Sequence, residues 1–416
     1  MAVRLPPKGM IAAACVAHVL SMLCFSAFPT LLPEFIELWS MSATEAGSVS
    51  SAFFVGYTLS VPVLTILSDR IDARRIYLFS SLLTAAGCAS FAIFADGPIT
   101  ASLCHALIGA GVGGTYMPGL KALGDHIGGR LFVRATAFYT GMFGVGGALS
   151  YLIADGVYMV AGWPPVFMLA AVTAAIAGFV LFFALPPTTP ETDHIPLHSI
   201  RSVLMNKTAV TWSICYGLHS GELFALRAWA VAFLVFVTAQ QPPPDGGFAE
   251  WFTPVRVVAL TTLLGLPLTI FGNEMCIRYG RRLVVCCVMI VTGAAALATG
   301  FSAYSLYLWA ALSIFLYNCA IMADSSALTA GALTNAQPGL RGATMALHST
   351  LGFAGGAAGP FIIGFTLDQA GGSGSETAWM LAFAQMALIG IICPILIRLM
   401  RPAGAPGDID RPEPAM

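Results

Sequence analysis

The sequence predicts an all-α membrane protein whose twelve transmembrane helices form two pseudo-symmetric six-helix bundles around a central cavity. Composition, an internal repeat and twelve apolar stretches support this prediction. Of the 416 residues, 57% are hydrophobic and only 9% are charged, whereas an ordinary soluble domain carries roughly 25% charged residues. So few charges cannot cover a water-soluble surface, and most of the surface must therefore face lipid.

Basic residues recur at one offset in the two halves of the chain. Arg75 and Arg282, each at the end of a short basic cluster, lie 207 positions apart (282 − 75). Arg134 and Arg341, which open Gly-rich apolar runs, have the same separation. Two independent pairs with one offset indicate an internal duplication in a polytopic membrane protein, an architecture typical of transporters.

Apolar stretches near the length that crosses a bilayer, about 20 residues, recur along the whole chain. Pro- and Gly-rich segments separate many of them. The first stretch follows Arg4 and Lys8 but lacks a small-residue cleavage site, so we interpret it as an uncleaved span. The twelve predicted spans are 10–32, 46–67, 76–95, 99–120, 134–154, 163–185, 208–237, 255–275, 283–301, 305–328, 342–366 and 377–400.

These spans define the predicted domains and their orientation. The N-terminal bundle covers 1–185, a cytoplasmic linker covers 186–207, the C-terminal bundle covers 208–400 and a cytoplasmic tail covers 401–416. Of the 19 Lys and Arg residues, only Arg227 and Arg256 fall outside positions assigned to the cytoplasmic side. The positive-inside pattern therefore predicts a multi-pass protein of the cell (inner) membrane with both termini in the cytoplasm.

The loop after the second span carries a charged motif. The stretch 69–75, Asp-Arg-Ile-Asp-Ala-Arg-Arg, resembles the loop signature of the major facilitator superfamily, and 272–282 resembles its weaker second copy. Two departures are Thr65 where the family has glycine and Asp72-Ala73 in place of a single glycine. An acid at the end of one span can pair with basic residues at the start of the next, or with a helix dipole, in one conformation and not in another. We therefore predict a cytoplasmic gate whose residues are Asp69, Arg70, Arg74, Arg75, Lys121, Glu274, Arg278, Arg281 and Arg282. Alternatively, the arginines only set topology.

The fourth span contains a substituted family motif. In the family, an arginine four residues before a Gly-x-Gly is associated with proton coupling, and here His105 takes that place before Gly109-Ala110-Gly111. Histidine titrates near neutral pH, so His105 is a predicted proton-coupling residue. The open alternative is a buried histidine satisfied by a backbone carbonyl.

Glycines cluster in the fifth and eleventh spans. The fifth resembles the family's export-associated signature, but Val145 stands where that signature has proline. The eleventh contains Gly352, Gly355 and Gly359-Pro360. Small residues at such spacings predict close helix packing.

The seventh span is the most specific chemical signal because it places several polar residues in an apolar stretch. An unpaired charge at mid-membrane costs several kcal/mol, about 2.5–3.5 on insertion scales, so these side chains must face protein or water. At 100° per residue, Tyr216, His219 and Arg227 project within an arc of roughly 80°, and Glu222 lies about 60° to the other side of His219. Glu222 is a predicted proton carrier and Arg227 a predicted anion-binding residue; a purely structural ion network is the alternative.

The tenth span supplies the second intramembrane acid, Asp324, which we predict either pairs with Lys121 or acts alone as a coupling site. The predicted proton-coupling set is His105, Glu222 and Asp324. The predicted substrate-binding set is His18, Tyr116, Trp212, Tyr216, His219, Arg227 and Asn318.

Together these features predict a secondary active transporter that moves a small organic solute by alternating access. Coupling to protons is expected, and the basic lining slightly favours an organic anion. The alternatives are a drug or metabolite efflux carrier of the same superfamily and a polytopic membrane enzyme. An enzyme is disfavoured because the sequence has no His-Glu-x-x-His motif or repeated Asp-rich motif. We expect a monomer in the lipid bilayer, a small-molecule substrate and H⁺ as coupling ion, with no cofactor, metal or nucleic acid.

Overall fold

A computed structural model describes residues 5–68, 70–189, 199–241 and 251–405. Within these ranges the regular structure is helical, and no strand occurs. The α-helices in chain order are α1 Pro7–Ser21, α2 Ala27–Thr30, α3 Leu32–Leu38, α4 Ala43–Ser68, α5 Ala73–Phe94, α6 Pro98–Val112, α7 Tyr116–Gly124, α8 Gly129–Ala161, α9 Trp163–Ala184, α10 Ser199–Met205, α11 Lys207–Gln240, α12 Pro254–Tyr279, α13 Arg281–Phe301, α14 Tyr307–Thr334, α15 Arg341–Gln369, α16 Glu376–Ala387 and α17 Ile389–Met400.

Ten helical segments are long and apolar enough to cross a membrane, counting α16 and α17 as one segment. The two other predicted spans are built from shorter helices. The span predicted at 10–32 is divided among α1, α2 and α3, and the span predicted at 99–120 is divided between α6 and α7. All twelve predicted stretches are therefore helical, and the prediction of an all-α membrane protein is confirmed.

Proline and glycine mark the helix boundaries, as the sequence predicts. Pro98 occupies the first turn of α6 and Pro164 that of α9, positions where the missing N–H costs nothing. Gly371 and Gly372 have positive φ values of 113° and 88° between α15 and α16, a conformation that glycine adopts without strain. The predicted break at Pro242–Gly247 lies outside the described residues.

Residue contacts divide the chain into two units. Unit 1 contains Met1–His194 and Trp251–Leu263, and unit 2 contains Ile195–Glu250 and Leu264–Met416. The first ten residues of α12 thus group with unit 1. Our domain boundaries at 185 and 208 stay a prediction. The linker predicted as an exposed loop contains the short helix α10.

Unit 1 has a core formed by α1, α5, α7, α8 and α9. Tyr77 and Tyr139 are fully buried in it with small residues such as Ala17 and Ala177. The small alanine side chains let the two large rings pack between the helices.

Unit 2 is organised around α11, most of whose residues are buried. Helices α11 and α15 approach through glycines: a Cβ at Gly355 would overlap the carbonyl oxygen of Gly217, and one at Gly359 would overlap that of Gly221. The packing role predicted for the glycines of the eleventh span is therefore confirmed. This close approach sets the side chains of α11 beside those of α15.

The segment after α17 lies against the ends of α11 and α14 in unit 2. The carbonyl oxygen of Ala403 accepts a 2.8 Å hydrogen bond from the Trp212 indole N–H. The Asn335 amide donates to the carbonyl oxygen of Gly404 at 2.9 Å. The start of the predicted tail is therefore attached to the helical unit.

Candidate functional site

A buried polar network lies within unit 2, between α11, α13 and α14. Glu222 is only 1% exposed. Its Oε1 accepts a 2.8 Å hydrogen bond from the Tyr317 hydroxyl, and its Oε2 lies 3.4 Å from the Thr292 hydroxyl. Tyr317 is therefore the main donor to this carboxyl group, because the single hydrogen of the Thr292 hydroxyl has a nearer acceptor, the carbonyl oxygen of Met289 at 2.9 Å.

His219 and Asp324 form the second part of this network. The Nδ1 atom of His219 lies 2.9 Å from Oδ1 of Asp324, and both side chains are 1% exposed. The distance is that of an ion pair, but the angles do not satisfy a hydrogen bond.

Two stacked rings continue the network towards the N-terminal ends of α11 and α15. Tyr216 lies 5.8 Å from the ring centre of His219 and 4.0 Å from that of His348. Gly352 makes room for Tyr216, because a Cβ there would overlap the phenol ring. His348 contacts the hydroxyls of Ser213 and Thr329 at 3.3 Å and 3.2 Å.

Arg227 on α11 and Asn318 on α14 are two further buried polar side chains of unit 2. Arg227 is 6% exposed, and its Nη2 lies 3.6 Å from the sulfur of Met322. Asn318 stands one turn before Met322 on α14, and within the described residues neither end of its buried amide has a hydrogen-bond partner. A buried amide without partners is costly, about 1–3 kcal/mol. This pattern indicates a group that is completed by a ligand or water.

Five of the predicted site residues thus meet in one unit: Tyr216, His219, Glu222, Asp324 and, beside them, Arg227. The group offers two carboxyls, two imidazoles with His348, and one guanidinium. Such groups can hold protons and bind an anion. Placing their charges inside a membrane costs free energy unless the charges pair with one another or face water or a ligand.

Trp212, a predicted substrate-binding residue, has a different environment. Its indole N–H donates to Ala403, and its ring packs against Gly331 of α14. Both contacts join the start of α11 to neighbouring segments, namely the end of α14 and the residues after α17. This geometry favours a structural role, because the polar atom of the side chain is already occupied.

His18 and Tyr116 lie in unit 1, in an aromatic group with Tyr139 and Phe143. The His18 ring stacks on Tyr139 at 4.4 Å and lies 5.5 Å from Tyr116. His18 is fully buried, and neither of its ring nitrogens has a hydrogen-bond partner in the described part of the chain. The Tyr116 hydroxyl donates to Thr140 at 3.2 Å.

His105 is buried among phenylalanines in unit 1. Its Nδ1 lies 2.7 Å from the carbonyl oxygen of Val49. Because a carbonyl only accepts, Nδ1 carries the hydrogen. Rings of Phe28 and Phe53 lie 5.1 Å and 5.3 Å away. The geometry favours the alternative of a core histidine over a proton-coupling residue.

Asp324 and Lys121 lie in different units, and each has a contact within its own unit. Asp324 contacts His219, and the Lys121 ammonium lies 3.5 Å from Asp125, four residues further along the chain. The predicted pair of Asp324 and Lys121 stays a prediction.

The first predicted gate motif contains a buried ion pair. Arg74 binds both carboxylate oxygens of Asp72, with its Nη2 2.7 Å from Oδ2. Its Nη1 donates to the carbonyl oxygens of Phe182 and Leu185 at the end of α9. Arg70 and Arg75 are exposed, and Asp69 lies outside the described residues. Arg74 therefore joins the start of α5 to the end of α9.

Replacing Arg74 by alanine is expected to lower the free energy of unfolding by about 3 kcal/mol, because it leaves Asp72 charged and buried without its partner. Arg74→Lys should recover only part of the loss, since an ammonium cannot make the same bidentate contacts. SDS-induced unfolding followed by tryptophan fluorescence measures the change. Arg75→Ala is the matched control, and an equal loss in both variants would contradict the assignment.

The pH dependence of this pair follows from Asp72, which lies before α5 begins. Burial raises the pKa of its carboxyl, but the hydrogen bonds and charge of Arg74 outweigh burial and lower it below the ordinary 3.8. A lowered pKa means that the stabilisation is complete above the ordinary value and is lost as the pH falls through the folded-state value. The Arg74→Ala deficit should therefore be constant above about pH 5 and shrink below the ordinary pKa.

The second gate motif is mostly exposed. Arg278 and Glu274 form an i,i+4 pair at 3.0 Å with both side chains more than half exposed, which contributes little stability. Arg281 is buried and donates to the carbonyl oxygen of Ala327 at 2.6 Å and to the Asn273 side chain at 3.3 Å. Arg282 is partly buried. The gate function of both motifs stays a prediction.

The sequence matches the family model described as Major Facilitator Superfamily over residues 14–253, more than half of the chain. The chain belongs to the major facilitator superfamily. No curated protein sequence matches it. The family and the fold are those of membrane transporters rather than enzymes, so this protein is a multi-pass transporter of the superfamily.

Solved structures of superfamily transporters share its fold. The POT family transporter PepTSo aligns with a TM-score of 0.76 at 16% identity, over 95% of this chain and 99% of that chain. The nucleoside transporter NupG aligns with a TM-score of 0.72 at 16% identity, over 94% and 99%. The human organic anion transporter MFSD10 aligns with a TM-score of 0.65 at 16% identity, over 95% and 100%. At these identities the similarity shows the fold alone.

Sequence reasoning did not select three residues of the network in this superfamily member. Two of them lie beside features that the sequence analysis did select. Tyr317 directly precedes Asn318, and His348 lies one turn before Gly352 in the Gly-rich eleventh span. Thr292 has no distinguishing pattern in α13. Its place beside Glu222 depends on how α13 packs against α11, which the sequence does not display.

Proposed function

We propose that this transporter is a proton-coupled secondary carrier of a small organic solute, with a slight preference for organic anions. It works in the cell (inner) membrane by alternating access, with both termini in the cytoplasm. Its halves cover 1–185 and 208–400. The observation that carries the proposal is the group of buried titratable and charged side chains on α11 and α14.

The proton site is assigned to the acids of this group. Asp324 and His219 are 2.9 Å apart in a buried setting, so a proton added to either changes the charge of the pair. Glu222, held by Tyr317 and Thr292, is the second proton site. Neutralising a carboxylate before a conformational change removes the cost of carrying its charge through a low-dielectric environment.

The solute contacts are assigned to Arg227 and Asn318. The guanidinium offers planar donors suited to a carboxylate, and the amide of Asn318 has unused hydrogen-bonding capacity. Similarity to a structure described as an organic anion transporter adds support. His18 and Tyr116 of unit 1 stay predicted substrate-binding residues. No cofactor or metal is part of the mechanism.

The test is uptake by proteoliposomes that contain only this protein. A panel of labelled carboxylates, peptides, nucleosides and amines is offered with and without an inward proton gradient. We expect a carboxylate to accumulate in the proteoliposomes, and to do so only when the proton gradient is present. Arg227→Ala should reduce this uptake by about 100-fold, the loss of a buried charged hydrogen-bonding partner.

Two results would contradict the proposal. One is an Arg227→Ala protein that takes up the carboxylate normally. The other is a proton gradient that drives efflux, and not uptake, of every transported solute in the panel. That result would favour the efflux carrier. Arg398→Ala, at an exposed position near the end of α17, is the matched control and should retain uptake.

A further inference from the structure

His348 has a hydrogen-bonding environment unlike that of the other buried histidines. It lies on α15 and is 2% exposed. Both of its ring nitrogens meet a hydroxyl: Nδ1 lies 3.3 Å from Ser213 Oγ, and Nε2 lies 3.2 Å from Thr329 Oγ1. His18 has no such partners in the described residues, and His105 has one.

The Ser213 contact fixes the hydrogen on one nitrogen. The Ser213 hydroxyl donates to the carbonyl oxygen of Ala209 at 2.8 Å. Its single hydrogen is thereby used, so the oxygen accepts from the ring. Nδ1 of His348 therefore carries a hydrogen, and the protonation of the ring is decided at Nε2.

The Thr329 hydroxyl can satisfy Nε2 in either state. It has two acceptors at the same distance, the carbonyl oxygen of Ser325 at 3.2 Å and Nε2 of His348 at 3.2 Å. When the ring is neutral, Thr329 donates to Nε2. When Nε2 is protonated, it donates to Thr329, whose hydroxyl hydrogen turns to Ser325.

We propose that His348 is a proton-binding residue of unit 2 and that Thr329 reverses its hydrogen bond when the proton arrives. This inference rests on the proposed proton coupling and adds a residue to it. In the doubly protonated ring each N–H has an acceptor beside it, the hydroxyl oxygen of Ser213 or of Thr329. The incoming proton joins the Nε2 lone pair and leaves from the same atom, so no other bond changes.

The surrounding titratable groups connect this site to the His219–Asp324 pair. From α11, Tyr216 stacks on His348 at 4.0 Å, and His219 interacts with it electrostatically. From α14, Asp324 contacts His219. His348 is the imidazole nearer the N-terminal ends of α11 and α15.

The experiment is nitrogen NMR of the full-length protein in lipid nanodiscs, with ¹⁵N-histidine labelling. His348→Gln identifies the His348 signals by their loss. We expect a doubly protonated His348 ring to appear as the pH is lowered from 8 to 5. Thr329→Val keeps the shape but removes the hydroxyl, and it should reduce the doubly protonated population at a given pH by about tenfold. Thr329→Ser should retain it.

The outcomes separate this inference from the proposed function. A His348 ring that stays singly protonated from pH 8 to 5, or an unchanged population in Thr329→Val, overturns the inference even if uptake follows the proton gradient. Should Thr329→Val fail to fold, Ser213→Ala gives the second measurement. Because Nδ1 of His348 loses its acceptor in that variant, the doubly protonated population should fall.

Discussion

Replacing Asp324 by asparagine is expected to abolish solute accumulation driven by a proton gradient, with a loss of about 100-fold. Asparagine keeps the size of the side chain but cannot bind or release a proton, so the proposed proton site, 2.9 Å from His219, is lost. Solute exchange across the membrane without a gradient needs no net proton movement, so it should survive. The measurement is uptake and counterflow of the carboxylate that wild-type proteoliposomes accumulate best.

The contrast between the two assays is what identifies a coupling residue. A variant that loses accumulation and exchange together has lost binding or folding instead. Asp96→Asn, in the exposed loop between α5 and α6, is the matched control and should retain both activities. Gradient-driven accumulation at the wild-type level in Asp324→Asn would contradict the role assigned to Asp324.

Replacing Gly355 by alanine is expected to destabilise the protein by about 3 kcal/mol, the upper range for overpacking. The added Cβ would overlap the carbonyl oxygen of Gly217 on α11. A backbone atom cannot move aside as a flexible side chain can, so the two helices must separate. SDS-induced unfolding in mixed micelles, followed by tryptophan fluorescence, measures the loss.

Gly156→Ala provides the matched control for this substitution. Gly156 lies within α8, and a Cβ there would meet nothing within 4 Å. Alanine in an open helical position should be neutral or stabilising by up to about 1 kcal/mol. Equal destabilisation of the two variants would show that the close approach of α11 and α15 does not limit stability.

Hydropathy and the positions of proline and glycine were sufficient to predict the membrane-spanning segments of this transporter. Span ends depend on local residues such as Pro98 and Gly371-Gly372, and these signals are written in the sequence. The helix breaks within the first and fourth spans were not predicted. Apolar content is continuous there, and the break in the fourth span, at Gly113-Gly114, occurs where Gly114 lies against the side chain of Ser80. That contact depends on tertiary packing.

The candidate site was predictable only in part. Charge in an apolar helix selected Glu222, Arg227 and Asp324, because such residues are rare in membrane spans and are recognisable without knowledge of their partners. Which partner each charge meets does depend on them. Arg74 and Arg75 are adjacent and chemically identical, yet one is buried against Asp72 and the other is exposed. Only helix packing distinguishes the two.

The attachment of residues 403 and 404 has a practical consequence for handling the protein. Truncation before Ala403 would remove the acceptor of the Trp212 indole N–H and would leave the Asn335 amide with the carbonyl oxygen of Gly331 in place of those of Ala403 and Gly404. An affinity tag or fluorescent fusion should accordingly be joined beyond Ala405, where it leaves these bonds intact.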